Sequence, residues 1–261
     1  MYNGKFKYVF LQHGVMYMVS LDSKGRSFFR KDGGMPKYSK IVVSSKAEAN
    51  HFIDLAGFNE DDLYITGLPK YDRNKRNTNA DKIVIMLTWR PWEYNMIRND
   101  INNSPYYKLI NKIIEAIPNH LKEKVILMPH PLVLEDIKQS QLSRYILKDF
   151  VYDDVLKTAK VLITDYSSIA YDSFYRGSNV IFYWEEKDYC MGEYGGHLML
   201  NNDNAFGPVC YDQEELTNTI ESQYSINQER KYILRYEKIV EFKDGRNTER
   251  LIQLLKKDRI I

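Results

Sequence analysis

Short apolar runs of strand length recur along the chain, and most of them are followed by a polar turn and then by a segment with helical periodicity. Alternating strands and helices predict a parallel sheet covered by helices, because parallel strands need a long crossover connection. The predicted fold class is therefore α/β. The predicted strands are residues 8–12, 40–44, 63–66, 83–87, 125–128, 161–164 and 180–184.

The distribution of polar and apolar residues divides the 261-residue chain into two parts. Residues 73–82 are polar and lack apolar periodicity, so the segment 74–82 is predicted to be a linker. Residues 1–73 then form a partial N-terminal α/β domain, and residues 83–261 form a complete C-terminal α/β domain with terminal helices. The predicted helices are residues 46–55, 105–117, 214–222, 228–239 and 248–257.

Composition and charge exclude several classes of protein. Lys and Arg total 37 against 35 Asp and Glu, and this near balance predicts no nucleic-acid partner. The two cysteines, Cys190 and Cys210, form neither a CxxC pair nor a disulfide framework, which favours a reduced, cytoplasmic setting. No apolar run approaches the roughly 20 residues that span a bilayer, so any membrane association is expected to be peripheral. The sequence contains no Walker A, GxGxxG, HExxH, GxSxG or DxD motif, which leaves nucleoside-triphosphate hydrolysis and zinc peptidase chemistry without support.

Polar side chains follow four of the predicted strands at the point where each ends. They are His13, Arg90, His130 and the segment 165–168. In open parallel sheets, ligands bind outside the carboxyl ends of the strands. A single histidine after a strand is more often a hydrogen-bonded structural residue, but four polar signatures at one edge of a sheet favour a functional site.

The segment Thr164-Asp165-Tyr166-Ser167-Ser168 is the strongest of these signatures. Here a buried strand brings two hydroxyl groups to the first turn of a helix, where unpaired N–H groups and the positive end of the dipole bind phosphate. Helix capping alone accounts for one serine, but not for two serines and an aspartate together. We therefore predict a phosphate-binding turn.

The local backbone is expected to project the imidazole rings of both strand-end histidines into a cleft. Pro131 biases His130 toward an extended conformation, and Gly14 lets the backbone turn sharply after His13. A neutral imidazole accepts a proton from an attacking hydroxyl group, and an imidazolium stabilises phosphate oxygens. The alternative for both is a structural histidine whose hydrogen-bonding groups are satisfied within the core.

The segment before the last predicted helix combines Asp244, Thr248 and Arg250 around a turn at Gly245. A glycine turn, a capping threonine and an arginine in the first helical turn together can close over an anion. For this segment alone, an ordinary helix start with solvated charges is favoured.

These motifs occur in an order that resembles the CDP-glycerol glycerophosphotransferase family, the teichoic-acid primases and polymerases. The resemblance extends from about residue 8 to residue 255, and the ordered set is far more specific than any one motif. The motifs are Gln12-His13-Gly14, Gly67-Leu68-Pro69-Lys70-Tyr71-Asp72, Thr88-Trp89-Arg90, Pro129-His130-Pro131, Thr164-Asp165-Tyr166-Ser167-Ser168, Gly207-Pro208, Asp244-Gly245 and Thr248-Glu249-Arg250.

The resemblance implies a GT-B-like architecture of two Rossmann-like domains facing across a cleft, with the front of the N-terminal domain missing here. It implies that an acceptor hydroxyl group attacks the β-phosphorus of CDP-glycerol and that CMP leaves. The catalytic residues would be His13, as the acceptor-side base, and His130, in contact with the diphosphate. The implied substrate-binding residues are Gly14, Arg90, Asp165, Ser167, Ser168, Asp244, Thr248 and Arg250. The lack of a DxD motif fits an enzyme that needs no metal and no cofactor.

The resemblance also implies partners and a location. The acceptor would be a lipid-linked polyol phosphate or glycan, and the enzyme would lie at the inner face of the cell membrane. Basic clusters within residues 24–40 and 256–259 predict weak attraction to anionic lipid. The motifs do not distinguish a glycerol donor from a ribitol donor.

Three alternatives to an active transferase of this kind remain open at the level of sequence. The partial N-terminal domain is compatible with a non-catalytic nucleotide-binding remnant, or with one piece of a split enzyme whose missing strands come from a partner chain. A GT-B glycosyltransferase that uses a nucleotide sugar is a further alternative, since it shares the architecture but not the motif set.

Overall fold

A computed structural model describes residues 7–33, 40–74, 79–149 and 151–261. Short 3-10 helices connect several of the main elements. The strands are β1 (Val9–Phe10), β2 (Lys40–Val43), β3 (Leu63–Ile65), β4 (Lys82–Ile85), β5 (Val125–Leu127), β6 (Ala159–Thr164), β7 (Asn179–Tyr183) and β8 (Val209–Cys210). The α-helices are α1 (Lys46–Ala56), α2 (Tyr94–Asn99), α3 (Pro105–Ala116), α4 (Leu134–Lys138), α5 (Tyr152–Thr158), α6 (Ile169–Tyr175), α7 (Lys187–Tyr194), α8 (Gln213–Ser225), α9 (Arg230–Glu237) and α10 (Asn247–Lys257).

The chain divides into two compact units, and their boundaries differ from the predicted ones. The predicted domain 83–261 does not form one unit, because two of its later segments group with the N-terminal residues. Their apolar side chains pack with residues of the first unit, although they lie far away in the sequence. The predicted linker 74–82 includes residues 75–78, which lie outside the described residues. The first unit comprises Met1–Asn74, Asp188–Asn204 and Ile233–Ile261, and the second comprises Lys75–Lys187 and Ala205–Tyr232.

The second unit is built on a five-stranded parallel sheet with the order β5-β4-β6-β7-β8. This is the 2-1-3-4-5 order of a doubly wound sheet, in which the strand order reverses between β4 and β6. Ligands of such sheets bind in the crevice at that switch point. The inner strands are buried on both faces, which explains why they read in sequence as continuous apolar runs.

Helix α3 shows how local sequence sets up packing on this sheet. The Ser104 hydroxyl accepts a hydrogen bond from Tyr107 N at 3.2 Å, and Pro105 occupies the first turn. The apolar positions then recur at helical spacing and are buried in the core of the second unit. They are Leu109, Ile110, Ile113 and Ile114.

Strand β8, which the sequence analysis did not predict, explains the Gly207-Pro208 motif. A Cβ atom on Gly207 would lie 1.9 Å from the carbonyl oxygen of Val180 in β7, so a side chain here would collide with the neighbouring strand. Phe182 N then donates to Pro208 O at 2.9 Å. The Gly207-Pro208 motif therefore lets the edge strand β8 pack closely against β7, which is a structural role.

The first unit contains a three-stranded parallel sheet with the order β1-β2-β3. The spacing of Ser45 and Glu48 predicts a capping box at the start of α1, and half of it forms: the Ser45 hydroxyl accepts from Glu48 N at 3.1 Å. The Glu48 carboxylate does not complete the box, because it accepts hydrogen bonds from Met16 N and Ser44 N instead. Gly57, with φ 76°, ends the helix in the left-handed conformation that glycine adopts readily.

Candidate functional site

The switch point of the second unit is organised by the carboxylate of Asp165, which follows β6 and is 1% exposed. Its Oδ1 accepts from the backbone N and the hydroxyl of Thr88, both at 2.7 Å, in the turn after β4. The carbonyl oxygen of Asp165 accepts from Trp184 Nε1, just after β7, at 3.1 Å. Asp165 therefore joins the carboxyl ends of three strands, and its predicted direct contact with substrate stays a prediction.

Arg90 lies inside the same turn, with its side chain 1% exposed. Its Nη1 is 3.0 Å from Glu93 Oε1 and 2.7 Å from Glu186 Oε2, and its Nη2 is 3.8 Å from Asp165 Oδ2. Since a buried charge needs nearby counter-charges, these carboxylates balance the guanidinium. The placement favours support of the loop, and the predicted contact of Arg90 with a diphosphate stays a prediction.

His130 follows β5 and begins the 3-10 turn Pro131–Val133. Its Nδ1 accepts from Leu132 N at 3.3 Å, so the proton of the neutral ring is on Nε2. The imidazole stacks on Trp89, which follows the neighbouring strand β4, with centroids 5.8 Å apart and planes at 19°. Burial lowers the pKa of His130 from its ordinary value. The geometry therefore suits a neutral ring that donates one hydrogen bond through Nε2.

The two serines of the predicted phosphate turn are partly exposed and differ in their contacts. The Ser167 hydroxyl accepts from Ile169 N at 3.4 Å, at the start of α6. The Ser168 side chain makes no capping bond within the described chain. One serine thus has a local structural partner, and the Ser168 hydroxyl has no role in holding the helix end.

His13 and Gly14 lie in the loop after β1 in the first unit, where His13 is exposed and Gly14 is buried. The preceding residue, Gln12, has φ 57°, an unusual conformation for a residue with a side chain. Gln12 Nε2 donates to Val42 O at 2.6 Å, which anchors the turn to β2. Lys70 Nζ donates to the His13 carbonyl oxygen at 2.6 Å. The loop is anchored on both sides of an imidazole that reaches the surface.

Arg250 belongs to the first unit and is paired within its own segment. Its Nη1 and Nη2 bond to the two carboxylate oxygens of Asp244 at 2.8 and 2.9 Å. Its Nε donates to Thr66 O at 3.0 Å, and its guanidinium lies 4.0 Å from the centre of the Phe242 ring. These contacts tie the last helix to the end of β3. Contact of Arg250 or Asp244 with a substrate stays a prediction.

Thr248 is not the cap of the last helix, because α10 begins one residue earlier, at Asn247. The backbone N–H groups of Asn247 and Thr248 donate to the Asp72 carboxylate at 2.9 and 2.7 Å. The carboxylate of Asp72 therefore supplies an anion at this helix start, and contact of Thr248 with a substrate stays a prediction. A Cβ atom on Gly67 would lie 2.3 Å from Asn247 Oδ1, so the Gly67–Asp72 turn and the helix start pack closely.

The structure thus brings Arg90 and Asp165 together at the switch point, with His130 after the adjacent strand. Sequence reasoning did not identify the carboxylates of Glu93 and Glu186 as partners of Arg90. Glu93 lies three residues after Arg90, a spacing that brings side chains together in a helical turn, whereas no local sequence pattern points to Glu186.

In the four described ranges, no helix is long and apolar enough to cross a membrane. In the same residues, no three His, Cys, Asp or Glu side chains lie together as metal ligands.

Comparison with solved structures defines the fold class. The wall teichoic acid polymerase TagF matches with a TM-score of 0.61 and 18% identity, over 85% of this chain and 58% of that one. A UDP-GlcNAc 2-epimerase of Methanocaldococcus jannaschii matches with a TM-score of 0.54 and 15% identity, over 84% of this chain and 61% of that one. The chain has the Rossmann-like α/β fold of GT-B-like proteins, and this prediction is confirmed.

Sequence comparison is more specific. The model of the CDP-Glycerol:Poly(glycerophosphate) glycerophosphotransferase family matches residues 2–257, and the chain belongs to this family, as its motifs indicated. It is 25% identical to the minor teichoic acid biosynthesis protein GgaB of Bacillus subtilis (strain 168), over 94% of this chain and 28% of that protein. It is 26% identical to the teichoic acid glycerol-phosphate primase of the same organism, over 84% of this chain and 57% of that protein. The chain therefore spans only part of the length of these relatives.

Proposed function

We propose that the protein transfers glycerol phosphate from CDP-glycerol to a hydroxyl group of a polyol-phosphate or glycan acceptor in the synthesis of teichoic acid or a related cell-surface polymer. Family membership supports the reaction class. The observation that carries the proposal is the switch point of the second unit, where Asp165 joins the turns after β4 and β6. His130 follows the adjacent strand β5, and because its Nδ1 accepts from Leu132 N, its Nε2–H is the group that can donate to a phosphate oxygen.

The donor is bound by the second unit in this proposal. The hydroxyl groups of Ser167 and Ser168 and the Nε2–H of His130 donate to the diphosphate oxygens. These bonds stabilise the negative charge that develops as CMP leaves, because hydrogen bonds to charged oxygens are the stronger ones. The acceptor oxygen forms a bond to the β-phosphorus, and the bond from that phosphorus to the oxygen that leaves with CMP breaks.

His13 serves the acceptor side. Its imidazole accepts the proton of the attacking hydroxyl group, which makes the acceptor oxygen a better nucleophile. The acceptor is lipid-linked in this proposal, and the protein works at the inner face of the membrane with weak attachment to its surface.

Calorimetric titration of the full chain tests the donor assignment with CDP-glycerol, CDP-ribitol, CMP and UDP-GlcNAc. We expect CDP-glycerol and CMP to bind, and Ser168→Ala to weaken CDP-glycerol binding by about 1–3 kcal/mol if its hydroxyl contacts a charged oxygen. Ser222→Ala is the matched control, because Ser222 is an exposed serine on α8 of the same unit. Binding of UDP-GlcNAc alone would support a nucleotide-sugar enzyme, and binding of none of the ligands would overturn the assignment.

Turnover tests the role of His13. We expect His13→Ala to lower kcat by about 10²–10⁴-fold, the usual contribution of a general base, with the dissociation constant of CDP-glycerol unchanged. His120→Ala is the control, since His120 is exposed in the other unit. A variant that keeps wild-type kcat would show that the role is wrong. Nucleotide binding without turnover, restored by adding a second chain, would support the split-enzyme reading.

A further inference from the structure

Glu48, on α1, is a fully buried carboxylate to which the proposed reaction assigns no role. Its Oε1 accepts from Met16 N and its Oε2 from Ser44 N, both at 2.6 Å. Burial raises the pKa of Glu48, and the bonds from Ser44 and Met16 oppose that rise. Each oxygen is held by a different backbone N–H, so both are in use as acceptors.

The bond from Met16 N connects Glu48 to the loop of residues 12–16, which carries His13, and the bond from Ser44 N connects it to the end of β2. Met16 lies at the end of that loop, three residues after His13. At its beginning, Gln12 Nε2 donates to Val42 O in β2, and the Gln12 amide is near enough to the Glu48 carboxylate to lower the pKa of that group. The left-handed backbone of Gln12 then turns the chain into His13. The same buried group thus lies near residues on either side of the exposed imidazole.

We propose that Glu48 is a positioning residue for His13: its two carboxylate oxygens hold the loop 12–16 against β2 so that the imidazole is presented in the reactive geometry. This inference rests on the proposed role of His13. This role requires two hydrogen-bond acceptors and not only a side chain of the right volume. A glutamine has nearly the same volume, but it supplies one oxygen and places an NH2 group against the other backbone N–H. One buried donor then loses its partner, and the loop must move to restore it.

The test compares Glu48→Gln with Phe52→Leu. Phe52 is one turn further along α1, is buried in the core of the first unit, and has no part in the proposed site, so it controls for loss of packing. We expect Glu48→Gln to lower kcat by about 10²-fold, the size of effect that a displacement of a reacting group by an ångström produces. The KM and the dissociation constant for CDP-glycerol should stay at wild-type values, and Phe52→Leu should keep wild-type kcat at an equal or larger loss of thermal stability.

A second readout does not depend on turnover. In protein labelled with ¹⁵N-histidine, we expect the His13 ring resonances to move in Glu48→Gln and to stay in place in Phe52→Leu, while those of His120 stay in both. Unchanged His13 resonances, or a kcat loss no larger than in Phe52→Leu, would overturn the inference. Moved resonances in a protein whose wild type shows no turnover would instead support the positioning and refute the proposed function. If Glu48→Gln does not fold, Glu48→Asp keeps both oxygens on a shorter stem and is judged by the same readouts.

Discussion

Buried ionisable side chains occur in both units, and their surroundings decide what each one does. His51 is 3% exposed on α1, beside the ring of Tyr17 at 5.2 Å. Burial lowers the pKa of His51 to about 4; Asp22 opposes this shift, whereas His197 and Arg26 add to it. The group is therefore neutral in the folded protein across the range in which an unfolded histidine takes up a proton.

His51 should make stability depend on pH. Its folded-state pKa is depressed, so the unfolded chain binds more protons, and the contribution to stability is complete above the unfolded pKa and is lost as pH falls toward 4. Between about pH 7 and pH 5 the free energy of unfolding should fall by about 2 kcal/mol through this residue. Urea titrations at the two pH values should show a smaller fall in His51→Phe than in wild type.

His120→Gln is the control for that experiment, because it replaces an exposed histidine of the second unit. Equal pH dependence in His51→Phe and wild type would contradict the assignment of the effect to His51.

The last helix illustrates how an element can be held by a residue far away in the chain. The orphan N–H groups at the start of α10 are satisfied by Asp72, and the Arg250–Asp244 pair closes the turn before it. An anion at a helix N-terminus stabilises both the free N–H groups and the dipole. Asp72 therefore fastens the segment Ile233–Ile261 within the first unit.

Replacing Asp72 should destabilise this element. We expect Asp72→Ala to lower the free energy of unfolding by about 1–2 kcal/mol, as for loss of a helix cap, and to lower the thermal midpoint by about 2–4 °C per kcal/mol. Asp32→Ala is the control, because Asp32 is an exposed residue in a surface ion pair with Arg30. A thermal midpoint of Asp72→Ala equal to that of Asp32→Ala would show that the cap contributes nothing.

Taken as a whole, the chain has a net charge of only +2, which limits its attraction to an anionic membrane. Several basic residues of the predicted lipid-facing cluster within residues 24–40 are paired with acids, and Lys37 lies outside the described residues. The pairs are Arg30–Asp32, Lys31–Asp62 and Lys40–Asp258. Of the second cluster, Lys256, Lys257 and Arg259 are exposed.

We therefore expect weak binding to anionic vesicles that is lost when salt is raised from about 0.05 M to about 0.5 M, since salt screens charges over a few ångströms. Sedimentation with anionic and with neutral vesicles measures it. Reversing two charges, in Lys256→Glu/Lys257→Glu, should weaken the binding further. Binding that survives high salt would indicate an apolar anchor, and no binding at low salt would count against a membrane-surface enzyme.

The local pattern was enough to locate most of the elements and the reaction family. Strands β2, β4, β6 and β7 and helices α1, α3, α8 and α10 agree with the predicted segments within a few residues. They could be predicted because apolar periodicity and capping residues act between neighbours in sequence. Short helices such as α2 and α4, and the two-residue strand β8, have too few residues to carry a periodic signal.

What could be read from the amino-acid sequence is the α/β class, the family and the residues at strand ends, since each depends on short-range patterns. The charge balance and hydrogen bonding of those residues depend on contacts between distant parts of the chain. Arg90 is neutralised partly by Glu186, and α10 is capped by Asp72. The Glu48 carboxylate bonds to Met16 N, 32 residues away, instead of completing the capping box that its spacing predicts. Packing chooses these partners, because a buried charge or N–H group must find its counterpart wherever the folded chain brings one within reach.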